Sequence, residues 1–277
     1  MGPQPTMDAP KTPVAGVRHF IPIGSGKGGV GKTTVSVNLA VALAKLGYRT
    51  GLIDADVYGP NVPRMLGVNQ PPMGDGQRIR PIEHCGLKVM SMGFLNPTDR
   101  PIIWRGPMLH SAIQQFVRQV DWGELDYLLV DLPPGTGDVS LSLAQTTAIT
   151  GAVVVTTPSE VSLEDARKAV LMFQQLKVPV LGLVENMSYL VLPGSEQRVD
   201  VFGQGGGRRT AERMNIPLLG ELPLIPEIRV GGDTGKPVAL LGEQAPAARP
   251  FYELARTVMA QAAQAAEQKT PTITVED

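Results

Sequence analysis

Short, uninterrupted apolar runs alternate along this chain with longer stretches in which apolar residues return every three or four positions. The first kind reads as strands buried on both faces and the second as amphipathic helices. Their alternation predicts an α/β fold, a mostly parallel central sheet with helices on both faces. Strands are expected at 19–23, 48–54, 87–91, 127–131, 152–155, 180–184 and 216–219. One helix is marked by Val35, Leu39, Ala42, Leu43 and Leu46 and closes at Gly47; another, opened by Pro107, carries Met108, Ile113, Phe116, Val117 and Val120. Ala166, Ala169, Val170, Phe173 and Leu176 mark a third, and Phe251, Leu254, Ala255, Val258 and Met259 a fourth. Two features disturb the pattern. Pro22 falls in a strand expected at the centre of the sheet, where it removes a ladder hydrogen bond and predicts a local irregularity. The Pro- and Gly-rich segment 67–86 predicts a long loop or hairpin over the sheet.

Between the first strand and the first helix lies Gly24-Ser25-Gly26-Lys27-Gly28-Gly29-Val30-Gly31-Lys32-Thr33-Thr34. From Gly26 to Thr33 it has the spacing G-x-x-x-x-G-K-[ST], which wraps backbone N–H groups around nucleotide phosphates at a helix N-terminus. Lys32 brings a mobile ammonium to the outer phosphates, and the Thr33 hydroxyl suits Mg²⁺. ATP and Mg²⁺ are therefore the expected cofactors, with Gly26 through Thr34 as the cradle. Hydrolysis further needs charge neutralisation and a positioned water. Asp131 ends a buried strand and so emerges at the sheet's C-terminal edge beside the loop, followed by a glycine-bearing segment able to move with the γ-phosphate. Asp54 and Asp56 end another strand two residues apart, so both carboxylates can face one site. Asn186, at the end of the strand 180–184, offers a donor and an acceptor to a base.

Composition narrows the setting. The 277 residues are 43% apolar, enough for one large core, and the net charge of −1 with no basic run gives no nucleic-acid footprint. No apolar stretch approaches a membrane span and no secretory pattern appears. The single cysteine, Cys85, excludes an internal disulfide, fits a reducing cytosol, and reads as a small buried hydrophobe. Residues 1–16 are expected to be a disordered leader, 17–265 one ATPase domain, and 266–277 a flexible tail.

A second lysine, Lys27, stands inside the glycine run, giving K-G-G-x-G-K-[ST]-T. This resembles the deviant P-loop ATPases that include MinD, ParA and the nitrogenase iron protein. Six further stretches narrow the likeness: 54–61 (D-A-D-V-Y-G-P-N), 104–108 (W-R-G-P-M), 131–138, 185–189 (E-N-M-S-Y), 202–207 (F-G-Q-G-G-G) and 228–233. Together they are similar to the Mrp/ApbC iron–sulfur cluster carrier ATPases, over about residues 17–238. The resemblance implies a slow, cytosolic, nucleotide-gated homodimer that holds a labile cluster and passes it to recipient apoproteins. It implies that Lys27 crosses the dimer to the partner's nucleotide and that Lys32 and Asp56 serve hydrolysis, Asp56 on the attacking water. Thr33, Asp54 and Asp131 then surround Mg²⁺, and Asn186 reads the base. One departure stands out. Where that family places C-P-x-C, this chain has Leu192-Pro193-Gly194-Ser195, so no iron–sulfur ligands are identifiable, although such clusters require thiolates. The alternative is a MinD/ParA-like positioning or scaffold ATPase. A near-neutral chain whose C-terminal helix has Arg256 as its lone central cation argues against a membrane or DNA as partner.

Overall fold

The computed structural model of the protein describes residues 11–74, 78–95, 106–135, 137–192 and 197–268. In chain order the elements are β1 (Val17–Ser25), α1 (Lys32–Lys45), β2 (Thr50–Asp54), α2 (Val62–Leu66), β3 (Ile82–His84), β4 (Leu87–Ser91), α3 (Gly106–Arg118), β5 (Leu125–Asp131) and α4 (Asp138–Thr146). There follow β6 (Ala152–Thr156), α5 (Glu160–Gln175), β7 (Val180–Glu185), β8 (Leu190–Val191), β9 (Arg198–Val199), α6 (Gly206–Met214), β10 (Leu218–Glu221), α7 (Pro226–Asp233) and α8 (Arg249–Glu267). Eight strands make one sheet in the order β10-β7-β6-β1-β5-β2-β4-β3, parallel throughout except for the β3–β4 hairpin at its edge. This is the expected α/β architecture.

The continuous apolar strands are covered on both sides. Along β5, Leu128 and Val130 point into a layer with α3, α4 and α5, while Tyr127 and Leu129 point into a layer with α1 and α8. Leu128, Leu129 and Val130 are wholly buried, each contributing roughly 1.5–3 kcal/mol. The chain leaves β1 for β2 on one side and later fills β6 on the other, so β1 is the switch point where the strand order reverses. Crevices that take ligands open at the C-terminal ends of such strands. The glycine loop follows β1 at that place.

Three expectations need correction. The register of β1 with β5 runs unbroken through Pro22↔Val130 to Ile23↔Asp131, so the proline causes no irregularity. The reason is directional: Phe20, two residues earlier, aims its N–H at Thr150 Oγ1 (3.1 Å) on the β6 side, and the β1–β6 ladder begins only at Ile23↔Val153. Pro22 therefore faces the side where no ladder bond is yet owed. Residues 11–16, expected within a leader, are instead packed. Val14 is buried, Thr12 bridges Thr147, and Arg118 donates to the carbonyls of Thr12 (3.0 Å) and Pro13 (2.8 Å). At the other end, α8 carries Ala266 and Glu267 into the expected tail. The rest of the leader, residues 1–10, and of the tail, 269–277, lies outside the described residues, as do Trp104 and Arg105 of the W-R-G-P-M stretch.

His19 gives a pH prediction. Its ring is 4% exposed, stacks on Tyr127 with centroids 5.1 Å apart, and its Nδ1 has no hydrogen-bond partner among the described residues. Burial first, and then the Arg18 charge, hold its pKa below the ordinary 6.5. The unfolded chain therefore binds a proton at a pH where the folded chain still resists it. Stability is complete above 6.5 and falls as pH drops through the folded value, with a slope of at most about 1.4 kcal/mol per pH unit for one group. Urea unfolding of wild type and His19→Phe between neutral and mildly acid pH is expected to show this slope only in the wild type.

Candidate functional site

The loop after β1 is built by its glycines. Gly29 (φ 81°) and Gly31 (φ 79°) adopt left-handed backbone, and a Cβ at Gly26 would fall on the backbone carbonyl of Asp165 in α5. Gly31 caps α1, so the free N–H groups of the first turn face the crevice together with those of the loop. The Ser25 hydroxyl closes the turn by donating to the Lys27 carbonyl at 3.0 Å. Residues 27–34 line a cleft of about 610 Å³, whose far wall is formed by Met187, Pro223, Leu224 and Ile225. This volume and its mixed polar and apolar walls suit a nucleotide.

Asp131 organises the acidic side. It is fully buried, and its Oδ2 lies 2.7 Å from Lys32 Nζ and accepts from the Thr33 hydroxyl at 2.7 Å. Its Oδ1 accepts from Ser36 Oγ at 2.6 Å. Lys32 is also 3.9 Å from Asp56 Oδ2, so one ammonium spans two carboxylates. Asp56 accepts from the Tyr58 and Gly59 N–H groups at 3.2 and 3.3 Å. Burial raises its pKa above the usual carboxylate range, and the Lys32 charge partly reverses that.

Asp54 is brought beside Asp131, its register partner across β2 and β5, but its oxygens are engaged elsewhere. Oδ2 accepts from Ser91 Oγ (2.9 Å) and the Val62 N–H (3.1 Å), and Oδ1 from the Asp56 N–H (3.2 Å). Burial, followed by the Asp131 charge, pushes its pKa up to about 8 against the pull of those hydrogen bonds. Asp54 steadies the loop that carries Asp56, beside the pair formed by Thr33 and Asp131. Those two are hard oxygen donors that meet at the edge of the phosphate loop, and they fit Mg²⁺.

Asn186 sits against the phosphate loop. Its Nδ2 donates to the Val30 carbonyl at 2.8 Å and lies where a Cβ on Gly31 would go. Its amide therefore props the phosphate loop, while the residue lines the same cleft. Lys27 is half-exposed on the rim of that cleft. Two contributors escaped the sequence reading. Ser36 was legible in principle, because four residues after Lys32 it shares that face of α1. Glu185 opens the E-N-M-S-Y stretch, but its partner at Gly207 lies twenty-two residues away in sequence.

The ParA pattern described as the NUBPL iron-transfer P-loop NTPase matches residues 16–259. The chain belongs to that family. Among relatives of this NUBPL-family chain, an iron–sulfur cluster carrier protein of Deinococcus radiodurans is 54% identical over 248 residues, 89% of this chain and 70% of that protein. The iron–sulfur cluster transfer protein NUBPL of Mus musculus is 45% identical over 250 residues, 89% of this chain and 78% of its own. A nucleotide-binding protein of Archaeoglobus fulgidus, solved in complex with ADP, superposes with a TM-score of 0.74 at 36% identity, covering 86% of this chain and 93% of that one. The cell division ATPase MinD of Pyrococcus furiosus gives 0.64 at 25% identity, covering 87% and 98%.

Within the family frame, the hairpin β8–β9 follows the E-N-M-S-Y stretch. Its base is pinned by Leu224 N donating to the Tyr189 carbonyl at 2.7 Å and by Arg198 lying 4.1 Å over the Tyr189 ring. Leu192 ends the described part, and Pro193, Gly194 and Ser195 lie outside it. Among the described residues no group of three or more His, Cys, Asp and Glu is placed to hold a metal ion. Cys85 sits in the β3–β4 turn, at the edge of the sheet opposite the phosphate loop, with burial raising its thiol pKa. No helix among the described residues is long and apolar enough to cross a membrane.

Proposed function

We propose that this protein is a Mg²⁺-dependent ATPase, slow in turnover and dimeric, that helps pass iron–sulfur clusters to recipient apoproteins in the cytosol. The observation that carries the reading is Lys32 held between Asp131 and Asp56 at the mouth of a glycine cradle. The names of its relatives, which are cluster carriers and transfer proteins, support the cargo. The backbone N–H groups from Gly28 to Thr33 bind the phosphates, and Lys32 exchanges its carboxylate partner for a phosphate oxygen. Asp56, a stronger base than an ordinary carboxylate, orients the attacking water and accepts its proton. Mg²⁺, held by Thr33 and Asp131, supplies charge neutralisation on the outer phosphates. Lys27 reaches the nucleotide of a second copy, and the γ-phosphate selects the paired arrangement by its added contacts.

The cluster is cargo, and with Leu192 and Ser195 in place of cysteines its thiolates come from the donor or the client. Anaerobic incubation with iron and sulfide is therefore expected to leave the protein alone without a stoichiometric cluster, by visible absorption and iron analysis. In contrast, the protein with MgATP should speed transfer from a cluster-loaded thiolate donor to an apo-enzyme, read as recovered enzyme activity. Equal transfer with and without ATP would remove the carrier reading. A stoichiometric cluster on the protein alone would overturn the assignment of the thiolates to its partners.

A further inference from the structure

The last residues of β7 face two directions. Asn186 reaches the phosphate loop at Val30, as described. Glu185, one residue earlier, is fully buried and turns to the other side, where its Oε1 accepts from Ser188 Oγ at 2.5 Å and its Oε2 accepts from the Gly207 N–H in the first turn of α6. The fit depends on paired glycines. A Cβ at Gly207 would lie 2.7 Å from Glu185 Oε2, and one at Gly206 would strike the Leu163 side chain and the Pro158 carbonyl, 2.8 Å away. The G-G-G run that opens α6 therefore serves close approach to an internal carboxylate, which sits on the positive end of the helix. The same short segment holds the hairpin. Ser188 N donates to the Leu222 carbonyl and Leu222 N to the Glu185 carbonyl, both at 2.8 Å, and β8 starts two residues later.

We propose that Glu185 is a positioning residue that links the phosphate loop, through Asn186, to α6 and the β8–β9 hairpin. Any shift of the Val30–Gly31 peptide when phosphates bind is carried by Asn186 into the turn 186–188, and Glu185 transfers it to α6. The hairpin so linked exposes Val191, Val199, Val201 and Phe202, so nucleotide would alter how an apolar surface is presented. The inference rests on the reading that the loop binds ATP.

Hydrogen exchange with a non-hydrolysable ATP analogue and Mg²⁺ tests it in the intact chain. In the wild type, nucleotide is expected to slow exchange both at 26–34, where it binds, and by about tenfold at 206–214, which it does not line. Glu185→Gln keeps the shape but replaces one of the two accepting oxygens with an amide NH2 that cannot accept. It should keep the protection at 26–34 and lose the nucleotide-dependent part at 206–214, with nucleotide-free exchange of α6 changed by less than about threefold. Full exchange of α6 in that variant without nucleotide would reduce Glu185 to a merely structural prop and overturn the proposal. So would retained nucleotide-dependent protection at 206–214. Should Glu185→Gln not fold, Ser188→Ala supplies the same comparison. Protection at 26–34 without protection at 206–214 in the wild type overturns this inference alone, whereas no protection at either place overturns the ATP-binding reading beneath it.

Discussion

Replacing Lys27 by alanine is expected to lower ATP turnover by about 10³-fold, the effect of losing a cation supplied in trans to a phosphoryl-transfer site. Affinity for ATP should change little, because the ammonium that serves the phosphates of the same chain is Lys32, seated on Asp131 at 2.7 Å. Lys27 stands on the cleft rim instead, half-exposed, in a position to meet a second copy. Phosphate release and fluorescent-nucleotide titration separate the two quantities. Mixing then tests the trans geometry. Asp56→Ala alone is inactive in its own site but still supplies Lys27 to a partner. An equal mixture with Lys27→Ala should recover about a quarter of wild-type turnover, since half the dimers are mixed and each has one complete site. Two inactive variants that stay inactive when mixed would place Lys27 in its own chain's site, and unchanged turnover in Lys27→Ala would remove it from hydrolysis.

Asp131→Ala is expected to destabilise the nucleotide-free protein by about 3–5 kcal/mol. Lys32, 6% exposed, would lose its nearest counter-ion, and the hydroxyls of Thr33 and Ser36 would lose their acceptor. One effect opposes this. Asp131 adds to the rise in the Asp54 pKa, so its removal relieves a like-charge contact. Relief is the smaller term, because burial is the larger cause of that rise and persists in the variant. The urea midpoint should fall accordingly, and an unchanged midpoint would show that Lys32 finds water or Asp56 at no cost.

The legible parts of this molecule are those whose cause is local. Tyr127 to Asp131 reads as a buried strand because five residues in a row share one requirement, and the glycine loop reads because phosphate binding fixes its spacing. Helix α6 was not legible: Gly206 to Met214 has two leading glycines and several charges, and it forms because its N-terminus seats on a carboxylate twenty-two residues away in sequence. Helices α4 and α7, nine and eight residues long, are likewise too short for a periodic apolar pattern to stand out. At the site, Asp54 was expected near Mg²⁺ and Asn186 at the base. Their partners, Ser91 and the Val30 carbonyl, are set by strand order and long-range packing, which no window of sequence contains. Pro22 shows the converse, since a proline looks disruptive until the side that its missing N–H faces is known.

The position of β1 has a consequence for synthesis. The strand that launches the phosphate loop pairs only with β5 and β6, so Ile23 waits for Asp131 and Val153 before it has neighbours on both sides. On the ribosome, more than half the chain must emerge while the glycine loop dangles from an unpaired apolar strand. Such a strand invites wrong pairing until its partners arrive, and contacts this distant in sequence form slowly. Nascent chains halted before β6 should accordingly cling to holdase chaperones and bind no nucleotide, with capture of ATP arising only once the far wall of the cleft, Pro223 to Ile225, has also cleared the exit tunnel.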